Sequence, residues 1–303
     1  MTRMSRPENL GGLQTGPEPN HLDAAVDEAV GQAQAAAAAA RVDVRALTDF
    51  GDLDQAVRLF ARIWGRDANP PMNLELLRAF GKAGNYVSGA FVGERLVGAC
   101  VGFFHAPSED ALHSHIAGVS PEMTGRAVGF ALKLHQRAWA MSRGVDRVAW
   151  TFDPLVARNA YFNVVKLAAR PVEYMPNFYG LMLDTLNGDG DSDRLLVRWS
   201  LRDPAVAEAC GRSGEHRPDP VPVAGAVVAV GTAADGSPEP GRLDGATSVV
   251  AVPRDITALR ASDPALAAHW RRAVRDAMTG LLAQGATVVG FDRARGYVLR
   301  RNS

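Results

Sequence analysis

The sequence predicts an α/β protein: a mixed, mostly antiparallel sheet flanked by helices, with a smaller α/β extension at the C-terminal end. Three observations predict it. Between residues 42 and 201, β-rich runs alternate with segments of helical period. Two of those runs, "YVSGAFV" and "LVGACVGFF", flank a glycine-bearing turn, which signals a hairpin and so an antiparallel pair. Across residues 248–303 a second strand–helix–strand succession follows, too short to be confidently independent and expected to pack on the first unit.

In chain order, residues 1–20 hold Pro7, Pro17 and Pro19 among glycines and polar residues, and are expected to be disordered. The stretch from His21 to Ala40 is alanine-rich, a strong helix former with little side chain to bury, so residues 1–41 read as a lead-in of low functional content. "VDVRAL" predicts a strand over 43–47. "DLDQAVRLFARIW" and "NLELLRAF" predict two helices before the hairpin. "ALHSHIAGV" is a third strand at 111–119, followed by a helix from about Thr124 to Ser142 with Gly144 as its C-cap. "RVAWTFDP" is a strand stopped by Pro154, "ARNAYFNVVKLAA" a helix, and "LLVRWSL" the closing strand. Residues 202–247 are rich in proline, glycine and small residues and read as a linker. In the extension, "ATSVVAVP" is a strand. Asp263 caps a helix with Pro264 at its first position, and "ATVVGF" and "GYVLRR" are strands.

Composition excludes several classes. The 303 residues are 47% hydrophobic and 22% charged, with 33 basic and 33 acidic side chains, so net charge carries no nucleic-acid or membrane signal. No apolar run approaches the roughly 18 residues of a transmembrane helix, and no basic-then-apolar leader precedes the first unit. Cys100 and Cys210 are too few for a disulfide framework, and reduced thiols in a cytoplasmic protein are the expectation.

The informative segment is "VSPEMTGRAVGFALK", residues 119–133. A phosphate held without a metal needs several backbone N–H groups aimed at one point and the positive end of a helix dipole. It also needs a turn of small residues, so that the ligand can approach the chain. "TGRAVG" between a strand and a helix meets these conditions, and Arg126 could add charge. A tight connection with no ligand is the competing reading. Neither a G-x-x-x-x-G-K-[ST] loop nor a G-x-G-x-x-G turn after a first strand is present, so a nucleotide kinase or a nicotinamide enzyme is poorly supported.

The order of elements and this segment resemble the GNAT acyltransferases, whose signature runs V-x-P-x-x-[RQ]-G-x-G-x-G/A. "ARNAYFNVVKLAA" is similar to that family's Asn-led helix ending in K-x-G-F. "WTFDPLVARNAYFNVVKLAA…NFYG…SDRLLVRW" resembles more narrowly a bacterial GNAT subgroup whose substrates are unnamed, a likeness that extends into "VVAVPRDI…HWRRAVRDAM…YVL". The resemblance implies a GNAT domain over 42–201 and acetyl-CoA, or another acyl-CoA, as donor. It implies that the backbone at Val119 pairs with pantetheine and that Thr124, Gly125, Arg126, Ala127, Val128 and Gly129 hold the pyrophosphate. Asn159 would lie near the pantetheine or thiol end. Direct transfer to an amine of a small molecule or peptide follows, with no metal, nucleic acid or membrane involved; a homo-oligomer is compatible with it. A non-catalytic module that binds CoA or another metabolite is the alternative. Three departures stand out: Thr124 replaces Arg/Gln, Ala127 replaces the central glycine, and Val164 occupies the position of the usual general-acid tyrosine.

Amine acylation requires a base for the amine, a donor to the oxyanion and a proton for the thiolate. His113 and His115 alternate on one strand and share a face. They are candidate bases, with metal ligation and ordinary packing as competing readings. Asp153 is either a cleft carboxylate or a helix cap. Tyr174 or Tyr179 could replace the missing acid, or could simply pack; Glu173 is a further base candidate. "DGDSD", 189–193, imitates the start of a calcium loop, but Arg194 and Ser200 stand where glycine and glutamate are needed, leaving Asp193 or Arg194 a role toward the acceptor at most. Arg271 and Arg275, four apart, form either a solvated or salt-bridged face or an acidic-substrate clamp. Lys133 and Arg137 read as a solvated stripe.

Overall fold

The computed structural model describes residues 23–182, 190–212 and 221–301. The expectation of disorder for residues 1–20 lies outside the described residues. The elements run α1 (Ala24–Ala40), β1 (Asp43–Ala46), α2 (Phe50–Trp64), α3 (Leu74–Lys82), β2 (Tyr86–Val92), β3 (Arg95–Phe104), β4 (Leu112–Val119), α4 (Val128–Met141) and β5 (Arg147–Phe152). Then come α5 (Ala157–Ala160), β6 (Arg170–Met175), β7 (Arg194–Ser200), α6 (Pro204–Gly211), β8 (Val227–Thr232), β9 (Pro238–Pro240) and β10 (Thr247–Val250). The chain ends with α7 (Ile256–Ser262), α8 (Pro264–Ala283), β11 (Ala286–Asp292) and β12 (Gly296–Arg301). As far as β5 the elements follow the predicted order, and beyond it β6, α6, β8, β9 and α7 are additional to it.

Strands β1 to β7 form one sheet in the order β1-β2-β3-β4-β5-β7-β6, antiparallel throughout except between β4 and β5. That parallel pair, joined through α4, is in register only at Leu112–Val148 and His113–Ala149. Beyond those residues the two strands diverge toward their C-terminal ends. The register of β3 against β4 also shifts, Val101 facing Ile116 and Gly102 facing Ser114, so His115 is the extra residue of a bulge beside the divergence.

Helices α2 and α3 bury Leu53, Leu59, Phe60 and Leu77 against Val87, Phe91 and Val101 on one face of the sheet. The other face carries α4, and α1 lies on α4. The alanines of α1 allow close approach, with Val26, Ala29 and Ala33 buried. α4 is therefore enclosed between sheet and α1, and the solvated stripe predicted for Lys133 and Arg137 is not formed. Arg137 is 1% exposed, its Nε donating to the Leu201 carbonyl at 2.9 Å and its Nη1 to Gln32 Oε1 at 2.7 Å.

The stretch read as a linker contains α6, β8 and β9, among its described residues. Asp203 caps α6 through Ala205 N–H at 2.9 Å with Pro204 inside the first turn, the same device used at Asp263–Pro264. β9, with prolines at both ends, is the edge of a second sheet ordered β11-β12-β10-β8-β9. The two sheets share a core in which Trp270, Met278 and Tyr297 pack with Phe152, Leu155 and Leu195. "ARNAYFNVVKLAA" is not one regular helix. One α turn, α5, passes into a π-helical segment over Tyr161–Lys166, with Leu167 N–H donating to the Phe162 carbonyl at 3.1 Å.

Candidate functional site

The divergence of β4 from β5 opens a cleft of about 1670 Å³. Its wall runs from Ala117–Val119 of β4 through Met123–Gly129 to Phe130 and Lys133 of α4, and across to Ala157–Asn159, Tyr161 and Phe162. Val119, Thr124, Gly125, Arg126, Ala127, Val128, Gly129 and Asn159, the eight residues named for the cofactor, all line it. α4 begins at Val128, four residues later than the period suggests, so Thr124–Ala127 are turn. Within that turn Arg126 N–H donates to the Met123 carbonyl, and Thr124 N–H to that of Pro121. Among the described residues, the N–H groups of Gly125, Ala127, Val128 and Gly129 have no acceptor. They form a cluster of unpaired donors at the positive end of α4.

Gly125 and Ala127 both have left-handed backbone, φ 83° and 60°. Alanine tolerates that conformation at a cost of about 1–2 kcal/mol, so Ala127 keeps the turn's shape where the family signature has glycine. A Cβ on Gly129 would meet only Val119 Cγ2, at 3.7 Å, and one on Gly125 would meet nothing within 4 Å. The small side chains here leave space that, among the described residues, only Val119 borders within 4 Å of these two positions. Eight lysine and arginine side chains, Arg41, Arg95 and Arg126 among them, line the cleft with no described aspartate or glutamate.

Lys133 is the feature the sequence reading missed. It is 5% exposed, at the closed end where β4 and β5 part. Its ammonium donates to Ser114 Oγ at 2.8 Å and Gln136 Oε1 at 3.0 Å and lies 3.8 Å from the centre of the Trp150 ring. None of these partners carries a compensating charge. Burial pushes the amine down to about 8, slightly opposed by the neighbouring Cys100. An i, i+4 pattern identifies a helix face but not what covers it, so only the strand divergence could have located this side chain.

The predicted catalytic residues separate. His113 and His115 lie on the sheet face that carries α3, their rings tilted against Phe103 at centroid distances of 5.1 and 5.6 Å, with Phe103 against Phe80. Burial, then the charges of His115, His105 and Lys133, lower His113 to about 4; burial alone lowers His115. Both imidazoles are thus neutral, proton-accepting groups at neutral pH. No set of three or more His, Cys, Asp or Glu among the described residues is placed to hold a metal ion.

None of the four residues expected to be catalytic, His113, His115, Asp153 and Tyr174, lines the cleft: the two histidines are turned to the α3 face of the sheet, against Phe103. Asp153 accepts Arg271 Nη1 and Nη2 at 2.7 and 2.9 Å and also Arg260. Burial would raise its carboxyl, but the two guanidiniums hold it well below the usual carboxylate range, and its Oδ1 also caps Leu155 N–H at 2.9 Å. Tyr174 donates to Asp193 at 2.7 Å, and burial followed by that carboxylate drives the phenol far above its ordinary value. Asp193, fully buried, also receives Arg275, which reaches Asp191 too. Arg271 and Arg275 are therefore salt-bridged. Asp189 of the acidic run lies outside the described residues. Glu173 is exposed on β6, and Tyr179 bonds Thr151 Oγ1 through its hydroxyl at 3.2 Å. Val164 lines a separate cavity of about 440 Å³ with Val165 and Phe291, while Tyr161 borders both spaces.

Residues 29–162 match the model of the acetyltransferase (GNAT) domain. A GNAT acetyltransferase domain is thus shown over residues 29–162, less than half of the chain. Among solved structures it is similar to an N-acetyltransferase from Staphylococcus aureus Mu50, at 12% identity and TM-score 0.45, over 53% of this chain and 99% of that one. It is similar to the ribosomal-protein-S18-alanine N-acetyltransferase of Escherichia coli, at 15% identity and TM-score 0.44, over 59% and 99%. It is also similar to yncA of Salmonella typhimurium, solved with its cofactor acetyl-CoA, at 15% identity and TM-score 0.45, over 56% and 99%. No curated protein matches the sequence. Among the described residues, no helix is long and apolar enough to cross a membrane.

Proposed function

We propose that the chain is an acyl-CoA-dependent N-acyltransferase, with acetyl-CoA the foremost donor and an amine of a small molecule or peptide as acceptor. The carrying observation is the group of four unpaired N–H donors at the start of α4, set in a cleft lined by cations and free of described carboxylates. Such a surface suits a pyrophosphate. Val119 and its β4 neighbours would run beside the pantetheine, and Asn159 would face it from across the cleft.

In the transfer, the amine nitrogen bonds to the thioester carbonyl carbon, the C–S bond breaks, and the amine's proton must leave. We assign that proton to the neutral imidazoles beside the β4 bulge, His115 before the more weakly basic His113, which would have to reach the acceptor from the α3 face, outside the cleft lining. Lys133 and Tyr161 line the cleft and are the groups we assign to protonating the thiolate in place of Val164. Asp153 and Tyr174 are assigned to holding the two units together.

Thiol release from acetyl-CoA, followed across a panel of primary amines, tests this reading. Release that depends on an amine supports it. Binding of acetyl-CoA without release by any amine would favour the non-catalytic module.

A further inference from the structure

The second sheet reaches the cleft as well. Arg254, following β10, and Arg293, in the β11–β12 turn, line it together with Arg158 and Lys166 of the α5 region, Arg293 bordering the smaller cavity too. Both arginines come from the same end of the second sheet. Val250 pairs with Tyr297, and Gly296 packs so closely on Val250 and Ala251 that a Cβ there would lie 2.1 Å from the Val250 carbonyl oxygen. The Arg293 guanidinium lies over the Tyr161 ring at 4.0 Å, which aims it at the cleft wall. Among the described residues none of these four cations has a carboxylate partner. In contrast, the arginines on the inner side of the same unit are consumed by ion pairs, Arg271 with Asp153 and Arg275 with Asp193. Those buried pairs, and Tyr297 donating to the Pro154 carbonyl at 2.8 Å, fix the second sheet against β5, so the position of Arg254 and Arg293 is set by the fold.

We infer that Arg254 and Arg293 of the C-terminal unit, with Arg158 and Lys166, form a second anion subsite of the cleft that holds the ribose 3′-phosphate of the CoA donor. The inference rests on the reading of the cleft as an acyl-CoA site. CoA carries two separate anionic groups, and the N–H donors of the α4 turn account for one of them, the pyrophosphate. A phosphate monoester bears up to two further charges and three acceptor oxygens, which suits several cations lining one cleft. The extension is thereby part of the donor site.

Calorimetry on the full chain tests it, with acetyl-CoA and its 3′-dephospho analogue as probes. Wild type, Arg254→Ala/Arg293→Ala and the control Arg272→Ala, an exposed arginine of α8 outside the cleft, are compared. Each lost charge-assisted contact is worth about tenfold. The double variant is expected to bind acetyl-CoA about 30- to 100-fold more weakly while its affinity for the dephospho analogue equals that of wild type. Equal affinity of wild type and double variant for acetyl-CoA, or an equal loss for both probes, overturns the 3′-phosphate assignment and leaves the acyl-CoA reading standing. Failure of wild type to bind either probe overturns both.

Discussion

Replacing Lys133 with methionine should change how stability depends on pH. The amine titrates at about 8 in the fold and at 10.5 when free. Between those values the unfolded chain keeps a proton that the folded chain has released, so the folded state gains as pH rises through that window. For these two values the gain between pH 7 and pH 9.5 is about 2 kcal/mol, most of the roughly 3 kcal/mol that separates fully protonated from fully neutral lysine here. Lys133→Met has no such proton and keeps a similar length of apolar chain over Trp150. It also loses the bonds to Ser114 and Gln136, a cost that does not vary with pH. Urea unfolding of both proteins at pH 7, 8, 9 and 9.5 isolates the effect, because every other titrating group is common to the two. The difference, wild type minus variant, should rise by about 2 kcal/mol across the series. A flat difference would refute the argument, since it would mean that Lys133 titrates alike in the folded and unfolded chains.

Four other outcomes follow from the same geometry. Asp153→Ala leaves Arg271 and Arg260 without their shared carboxylate and should cost about 3–5 kcal/mol of stability in urea, less when combined with Arg271→Met. Ala127→Gly and Ala168→Gly relieve positive φ values of 60° and 51°. Against the greater freedom of glycine in the unfolded chain, each should net about 0.5 kcal/mol of stabilisation by thermal unfolding. The His113→Asn/His115→Asn pair should lower kcat at saturating acetyl-CoA by about 100-fold in a thiol-release assay. Because His113 is lowered to about 4 from 6.5, its contribution makes the wild type lose stability as pH falls between those values, and His113→Asn should flatten that limb.

Much of the architecture was legible because local patterns carry it. The hairpin turn, the helix periods of α2 and α3, and the small residues of the α4 turn each depend on near neighbours. What escaped depends on distant ones. Arg137 read as solvated because α1, whose alanines give no apolar stripe, does not announce that it covers α4, and Lys133 because its cover is Ser114 and Trp150, on the two diverging strands. Asp153 resembled a free carboxylate or a local cap because its partner Arg271 is 118 residues away. α6, β8 and β9 were hidden in a proline- and glycine-rich stretch, although Asp203–Pro204 repeats the helix start recognised at Asp263–Pro264. The contribution of Arg254 and Arg293 to the cleft depends on how two sheets meet, which no spacing along the chain records.

The central claim is that the open N–H donors of the α4 turn hold the pyrophosphate of an acyl-CoA, and Gly129 offers the most direct test. A side chain there meets only Val119 at an ordinary contact distance, so Gly129→Glu should fold while placing a carboxylate in front of those donors. Calorimetry with acetyl-CoA on wild type and Gly129→Glu, both checked for the same unfolding transition, decides it. The account predicts micromolar binding by wild type and none by the variant. A well-folded wild type that fails to bind, or a variant that binds as well as wild type, would contradict it.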